Sequence, residues 1–181
     1  NNIRLNSAVK KIERFHDYVL IEAEGHPLEK FDQVIIAAHS NQALRMLNDP
    51  SKEESEILGA IPYHQNDTVL HTDKNMMPKN HKAWAAWNYH RPEEPDGHVS
   101  VTYNLSTLQK VPGEKQFLVT LNGSKNIDKN SILKRFSYEH PIFNAGSMAA
   151  QKRWGEINGQ RRTWYCGAYW GYGFHEDGVK S

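Results

Sequence analysis

The closing run, residues 163–181, constrains the fold more than any other stretch of the chain. Thr-Trp-Tyr-Cys at 163–166 reads as a short apolar strand. Gly167, Gly171 and Gly173 then interrupt an aromatic segment, and the residues from His175 onward read as the start of a helix. A strand that ends in glycines and feeds a helix suits a cofactor site. Glycine lets backbone approach a flat or anionic group closely, and the free N–H groups of a first helical turn can donate to acceptor oxygens.

The beginning of the chain is also strand-like. Residues 6–12 and 18–23 predict two short strands, with a turn at 24–27. Residues 31–39 predict an unbroken apolar strand ended by small residues, as in a sheet buried on both faces. A short helix capped by Ser40 is expected over 40–47. A second, over 52–58, has Ser51 and Glu54 at the spacing of a capping box. The pattern then changes to β, with strands at 67–72, 83–89, 99–104 and 116–121 between loops rich in Pro, Asn, Asp and Gly. Glu93 to Gly97 reads as a hairpin connection, His140-Pro141 as a turn, and residues 145–158 as a helix ended near Gly159. The expected fold class is α+β: part of a nucleotide domain (residues 1–46 and 161–181) and a mainly antiparallel substrate domain with helices (47–160).

The tail resembles the C-terminal FAD-binding signature of the flavin-containing amine oxidoreductase superfamily, in which a strand and a Gly-Ala or Gly-Glu pair precede a Gly-aromatic-x-Glu-Gly helix start. Gly173, Phe174, Glu176 and Gly178 lie over that second part. Val9 resembles the first-strand valine that meets the adenine through its backbone, and the run from Asp32 to Ala37 resembles the strand that closes the nucleotide domain. The resemblance implies an α/β full-length protein with FAD as cofactor and a small-molecule substrate. It implies cofactor contacts from Val9, Ala37, Gly167, Ala168, Trp170, Gly171, Tyr172, Gly173, Phe174, His175, Glu176, Asp177 and Gly178. Trp87, Tyr89, Tyr103 and Met148 are the expected substrate-pocket residues. For Glu176 and Asp177, direct cofactor contact stands beside a purely local role at the helix N-terminus. His175 is a candidate for tuning the flavin or relaying protons.

Departures from that family matter as much. The Gly-x-Gly-x-x-Gly turn that opens FAD-binding Rossmann units is missing, which predicts a C-terminal fragment that is inactive alone. Asn66 stands where many amine oxidases carry the lysine that holds a water at the flavin. Gly146-Ser147 is followed by Met148 instead of the second aromatic of an amine cage. The implied substrate is therefore an amine or an apolar lipid-like molecule. A non-catalytic interaction or scaffold domain is the alternative.

Composition narrows the partners. Lys and Arg total 22 against 21 Asp and Glu, a net charge of +1, which leaves no electrostatic footprint for nucleic acid. No apolar run approaches the length of a membrane span. The single cysteine, Cys166, reads as a small buried strand residue and fits a cytoplasmic protein. The 10 histidines are scattered without metal-ligand spacing, so no metal site is expected. Trp84, Trp154 and Trp164 read as packing residues.

Overall fold

The computed structural model describes residues 3–91 and 100–181. These form two compact units, Asn1–Tyr63 with Pro141–Ser181, and His64–His140. In the first, β1 (Val9–Arg14), β2 (Val19–Ala23) and β3 (Glu29–Phe31) make an antiparallel sheet in that order. The β1–β2 ladder slips between Val9 and Lys11.

The apolar run at 31–39 does not form one strand. It leaves the sheet after Phe31 and resumes as β4 (Val34–Ile36), which pairs in parallel with the distant strand Thr163–Tyr165. The polar pair at the break is tied to the tail. The Asp32 carbonyl accepts from Arg162 Nη1 at 3.2 Å, and Gln33 Oε1 accepts from Trp164 Nε1 at 2.7 Å. Val34 and Ile36 are buried while Ile35 between them is 69% exposed. The expected strand buried on both faces is thus corrected to one with a single covered face, as its alternation dictates.

Helix α1 (Ser40–Met46) also differs in its start: His39 holds the cap position and Ser40 is the first helical residue. Its backbone N–H donates to the Tyr63 hydroxyl at 3.0 Å. Helix α2 (Lys52–Gly59) begins as its sequence predicts. Ser51 Oγ accepts from Glu54 N at 3.1 Å, and Glu54 Oε2 accepts from Ser51 N at 2.7 Å.

The second unit holds most of β5 (Tyr63–His71), then β6 (Trp87–His90), β7 (Ser100–Asn104), the single-turn α3 (Leu105–Leu108), β8 (Leu118–Leu121) and β9 (Ile132–Pro141). The sheet order is β6-β7-β8-β5-β9, and the ladders from β6 to β5 are antiparallel. Val69, Met76 and Ile127 form a small core with Ile132 against it. Strand β6 is shorter than expected, because Ala83 closes a 3-10 turn (His81–Ala83). Trp84 lies off the strand, donating from Nε1 to the Pro78 carbonyl at 2.8 Å and stacking on His81. Strand β9 is an addition to the expected set, and His140-Pro141 ends it instead of turning. The hairpin connection expected from Glu93 to Gly97 lies outside the described residues.

The expected helix over 145–158 is two: α4 (Ala145–Lys152) and α5 (Trp154–Ile157), parted at Arg153. Gly159, in the left-handed region at φ 78°, then turns the chain into β10 (Thr163–Tyr165). The chain closes with α6 (His175–Lys180). Ile12, Val19, Ile57, Leu58, Ile157 and Tyr165 are almost fully buried in the core of this unit.

Candidate functional site at the strand ends

Strands β4 and β10 run in the same direction, with Val34 opposite Thr163 and Ile36 opposite Tyr165. Cys166 N donates to the Ile36 carbonyl at 3.2 Å and extends the ladder by one step. Their carboxyl ends therefore emerge side by side, one continuing into Ala37 and α1, the other into Gly167. In open parallel sheets, the crevice beyond such ends is where ligands bind. His39 stacks on Tyr63 there, ring centroids 4.7 Å apart. Tyr169 is buried beside them. Burial pushes its hydroxyl well above the ordinary tyrosine range, with Tyr63 and Cys166 adding to the effect. A side chain at Gly167 would bring Cβ within 2.5 Å of Tyr169 Cε1, so glycine makes room for that ring. Ser40 Oγ is buried and has no hydrogen-bond partner among the described residues. An orphaned hydroxyl at the end of a parallel strand fits a polar ligand group.

Beyond Gly167, the 3-10 turn Ala168–Trp170 leads into a tight loop. Gly171 N and Gly173 N both donate to the Ala168 carbonyl at 3.1 Å, and Gly173 sits at φ 88°. Asp177 closes the loop from α6, its carboxylate accepting from Tyr172 N at 3.0 Å and Phe174 N at 2.9 Å. Gly171 permits this, since a Cβ there would lie 2.6 Å from Asp177 Cγ. From the other side, Gln151 Nε2 donates to the Tyr169 and Gly171 carbonyls at 2.9 and 2.6 Å. Replacing Asp177 by alanine removes the loop's cap. It should lower stability by about 0.5–2 kcal/mol and speed amide exchange at Tyr172 and Phe174, read by NMR.

The tail residues divide by environment. Trp170 packs on Trp154 and Tyr169, with centroids at 6.4 and 4.8 Å. Tyr172 and Phe174 project outward, 76% and 53% exposed. Glu176 pairs with Lys180 at 3.2 Å along α6, and His175 beside it is exposed. Gly178 brings α6 close to the preceding turn, where a Cβ would stand 3.5 Å from Ala168 N. Val9 is half-buried against the core at the ladder slip, and Ala37 is exposed. A cleft of about 220 Å³ is lined by Gln151, Trp154, Trp170, Gly171, Asp177 and Lys180. That is below the roughly 300 Å³ at which small-molecule sites begin.

Trp87, Tyr89 and Tyr103 share one face of the five-stranded sheet. Trp87 lies opposite Tyr103 in register, and their rings meet edge to face at 5.6 Å. Trp87 and Tyr89 are 55% and 65% exposed. Met148, also half-exposed, belongs to α4 in the other unit. Asn66 is buried on β5 and accepts from Asn122 Nδ2 at 2.6 Å. Among the described residues, no three His, Cys, Asp or Glu side chains gather as metal ligands, and no helix is long and apolar enough to cross a membrane.

No family model matches the chain, and no curated protein matches it. Solved structures do. A CLA-producing fatty acid isomerase from P. acnes has a TM-score of 0.60 at 16% identity, over 97% of this chain and 45% of that one. Putrescine oxidase bound to putrescine has a TM-score of 0.60 at 9% identity, over 97% and 46%. Reduced UDP-galactopyranose mutase has a TM-score of 0.59 at 14% identity, over 93% and 42%. The chain shares their fold. Identities this low establish the fold alone, and the chain spans less than half the length of each.

Proposed function

We propose that this chain is part of an FAD-dependent oxidoreductase of the amine-oxidase-like superfamily. The observation that carries the reading is the paired carboxyl ends of β4 and β10, which deliver Ala37 and Gly167 to one crevice. In this reading residues 1–46 and 161–181 serve the cofactor. Val9 meets the adenine through its backbone. Gly167, Ala168, Gly171, Gly173 and Gly178 let backbone approach the flavin, with Trp170, Tyr172, Phe174, His175, Glu176 and Asp177 around them. The buried, unpartnered Ser40 hydroxyl and the left-handed Gly173 fit such a ligand. The 220 Å³ cleft alone does not take a whole dinucleotide.

Bound FAD would supply the two-electron acceptor for substrate oxidation. This chain contributes the wall. Within residues 47–160, Trp87, Tyr89, Tyr103 and Met148 are assigned to the substrate, an amine or an apolar lipid-like molecule. The two open chemistries match what the names of the structural neighbours state of those proteins, putrescine in one and a fatty acid in another. A non-catalytic scaffold is the second reading.

The absorption spectrum of the protein purified from its complete reading frame tests the proposal. Flavin bands are expected, and anaerobic bleaching by a diamine or by an unsaturated fatty acid would separate the two substrate classes. A colourless protein that takes up no FAD would overturn the assignment in favour of the scaffold. The isolated 181-residue chain should bind FAD weakly or not at all in calorimetry, since the helix start that receives the pyrophosphate is not among its motifs.

A further inference from the structure

Four polar side chains on four neighbouring strands of the second unit form a continuous hydrogen-bonded line that the flavin reading does not use. His71 Nε2 on β5 lies 2.8 Å from Thr120 Oγ1 on β8. Thr120 Oγ1 lies 2.7 Å from Thr102 Oγ1 on β7, its direct register partner. Thr102 Oγ1 lies 2.7 Å from His90 Nε2 on the outer strand β6. His71, Thr102 and Thr120 are fully buried, and His90 is half-buried.

One contact outside the line sets its direction. Asp73 N donates to His71 Nδ1 at 3.1 Å. A backbone N–H can only donate, so His71 Nδ1 carries no proton and Nε2 must carry one. Nε2–H then donates to Thr120, Thr120 donates to Thr102, and Thr102 donates to His90 Nε2. Three links use three hydrogens. His90 is left as an acceptor at Nε2, with its own proton on Nδ1.

We propose that His71, Thr120, Thr102 and His90 form a one-way hydrogen-bond chain that clasps the outer strand β6 to the sheet, and that a proton arriving at His90 releases the clasp. Protonated at Nε2, His90 donates to Thr102, and four hydrogens must then share three links. One hydroxyl is left buried without an acceptor, which is costly. Reversing the line gives no escape, because a reversed line needs Nδ1–H on His71, facing the Asp73 N–H donor to donor.

The surrounding charges do not offset this cost. Burial lowers the proton affinity of both imidazoles. At His71, Asp73 opposes burial and His90 reinforces it. The Asp73 carboxylate is itself committed, accepting from Asn75 N at 3.0 Å and Asp128 N at 2.8 Å. Among the described residues, burial alone accounts for the lowered affinity of His90, and Asn88 on the same strand is committed, its Nδ2 donating to the carbonyls of Ala85 and Thr102.

The sign follows. A histidine whose folded proton affinity is depressed stabilises the fold fully above its unfolded value of 6.5, and that contribution is lost as the pH falls below it. Strand β6 carries Trp87 and Tyr89, so acid would loosen the element that presents those aromatics.

Nitrogen-15 NMR of the unmodified chain tests the idea directly. At neutral pH His71 is expected as the Nε2–H tautomer and His90 as the Nδ1–H tautomer, the less common form of free histidine. Each should titrate below 6.5. On acidification through that titration, β6 amides should exchange severalfold faster relative to β8 amides, because the released strand binds the His90 proton more tightly than the clasped one. In His90→Gln, whose amide oxygen accepts from Thr102 but does not titrate, that acid response should vanish while neutral-pH protection remains. A His90 found as the Nε2–H tautomer, or an acid release of β6 that persists in His90→Gln, would overturn the proposal.

Discussion

Replacing Arg14 by leucine should destabilise the chain by about 3–5 kcal/mol, the range for breaking a buried ion pair from one side. The Arg14 side chain is fully buried, and Glu54 opposite it is 2% exposed. Arg14 binds the Glu54 carboxylate with both terminal nitrogens, Nη2 to Oε2 at 2.8 Å, and reaches Asp49 through Nε at 3.1 Å and its carbonyl through Nη2 at 2.7 Å. Tyr165 donates its hydroxyl to Glu54 Oε1 at 2.6 Å. Leucine would leave a buried carboxylate facing a hydrocarbon. Urea unfolding followed by circular dichroism measures the loss, and the double variant Arg14→Leu/Glu54→Leu should recover only part of it, because the buried carboxylate is then gone but Tyr165 and Ser51 lose the acceptor it gave them.

The same pair predicts acid sensitivity of a second kind. Burial pushes the Glu54 carboxyl up, but the bonds from Arg14, Tyr165 and Ser51 outweigh it and hold the group below its ordinary 4.5. A depressed carboxylate stabilises the fold fully above 4.5, and the contribution is lost as the pH falls below that value. Acid denaturation of the wild-type chain should therefore steepen in this window, while Glu54→Gln, weaker at neutral pH, should show a shallower slope there. The histidine response, beginning below 6.5, precedes it on the same titration.

These residues also show where the sequence was legible. Ser51 and Glu54 announce a helix start by spacing alone, and that start is present. What spacing does not reveal is that Glu54 serves two masters, since its partners Arg14 and Tyr165 are 40 and 111 residues away. The split of the 31–39 run is hidden for a related reason. Six of its residues are apolar, and only the tertiary ties of Asp32 and Gln33 to Arg162 and Trp164 mark the break. Strand β9 escapes notice because it is mostly solvent-facing: Leu133 and Tyr138 are 48% and 49% exposed amid Lys134, Arg135 and Glu139, which erases the alternation that betrays a strand. At the candidate site the glycines were readable. Tyr63 and the site role of Ser40 were not, because Tyr63 belongs to no motif, Ser40 reads only as a helix cap, and a hydrogen bond across 23 residues joins them.

Gly173→Val in the protein made from its complete reading frame should weaken flavin binding about 5- to 150-fold, since each 1.4 kcal/mol is a factor of ten. Gly173 lies at φ 88°, where a β-branched residue costs about 1–3 kcal/mol of backbone strain. The nearest atom to a Cβ there is Phe143 Cε2 at 3.6 Å, an ordinary contact, so the penalty falls on the loop's conformation and not on the core. The loop is exposed and capped by Asp177, so it can relax into another shape without unfolding the unit. In relaxing, it would withdraw the backbone that the proposed cofactor needs. Gly25→Val supplies the control: Gly25 sits at φ 73° in the turn after β2 with nothing within 4 Å of its Cβ, so it carries similar strain away from the strand ends. Both variants should lose comparable thermal stability, but only Gly173→Val should lose flavin absorbance per protein at matched circular dichroism. Equal flavin content in the two would make the tail a structural element and remove the cofactor from this crevice.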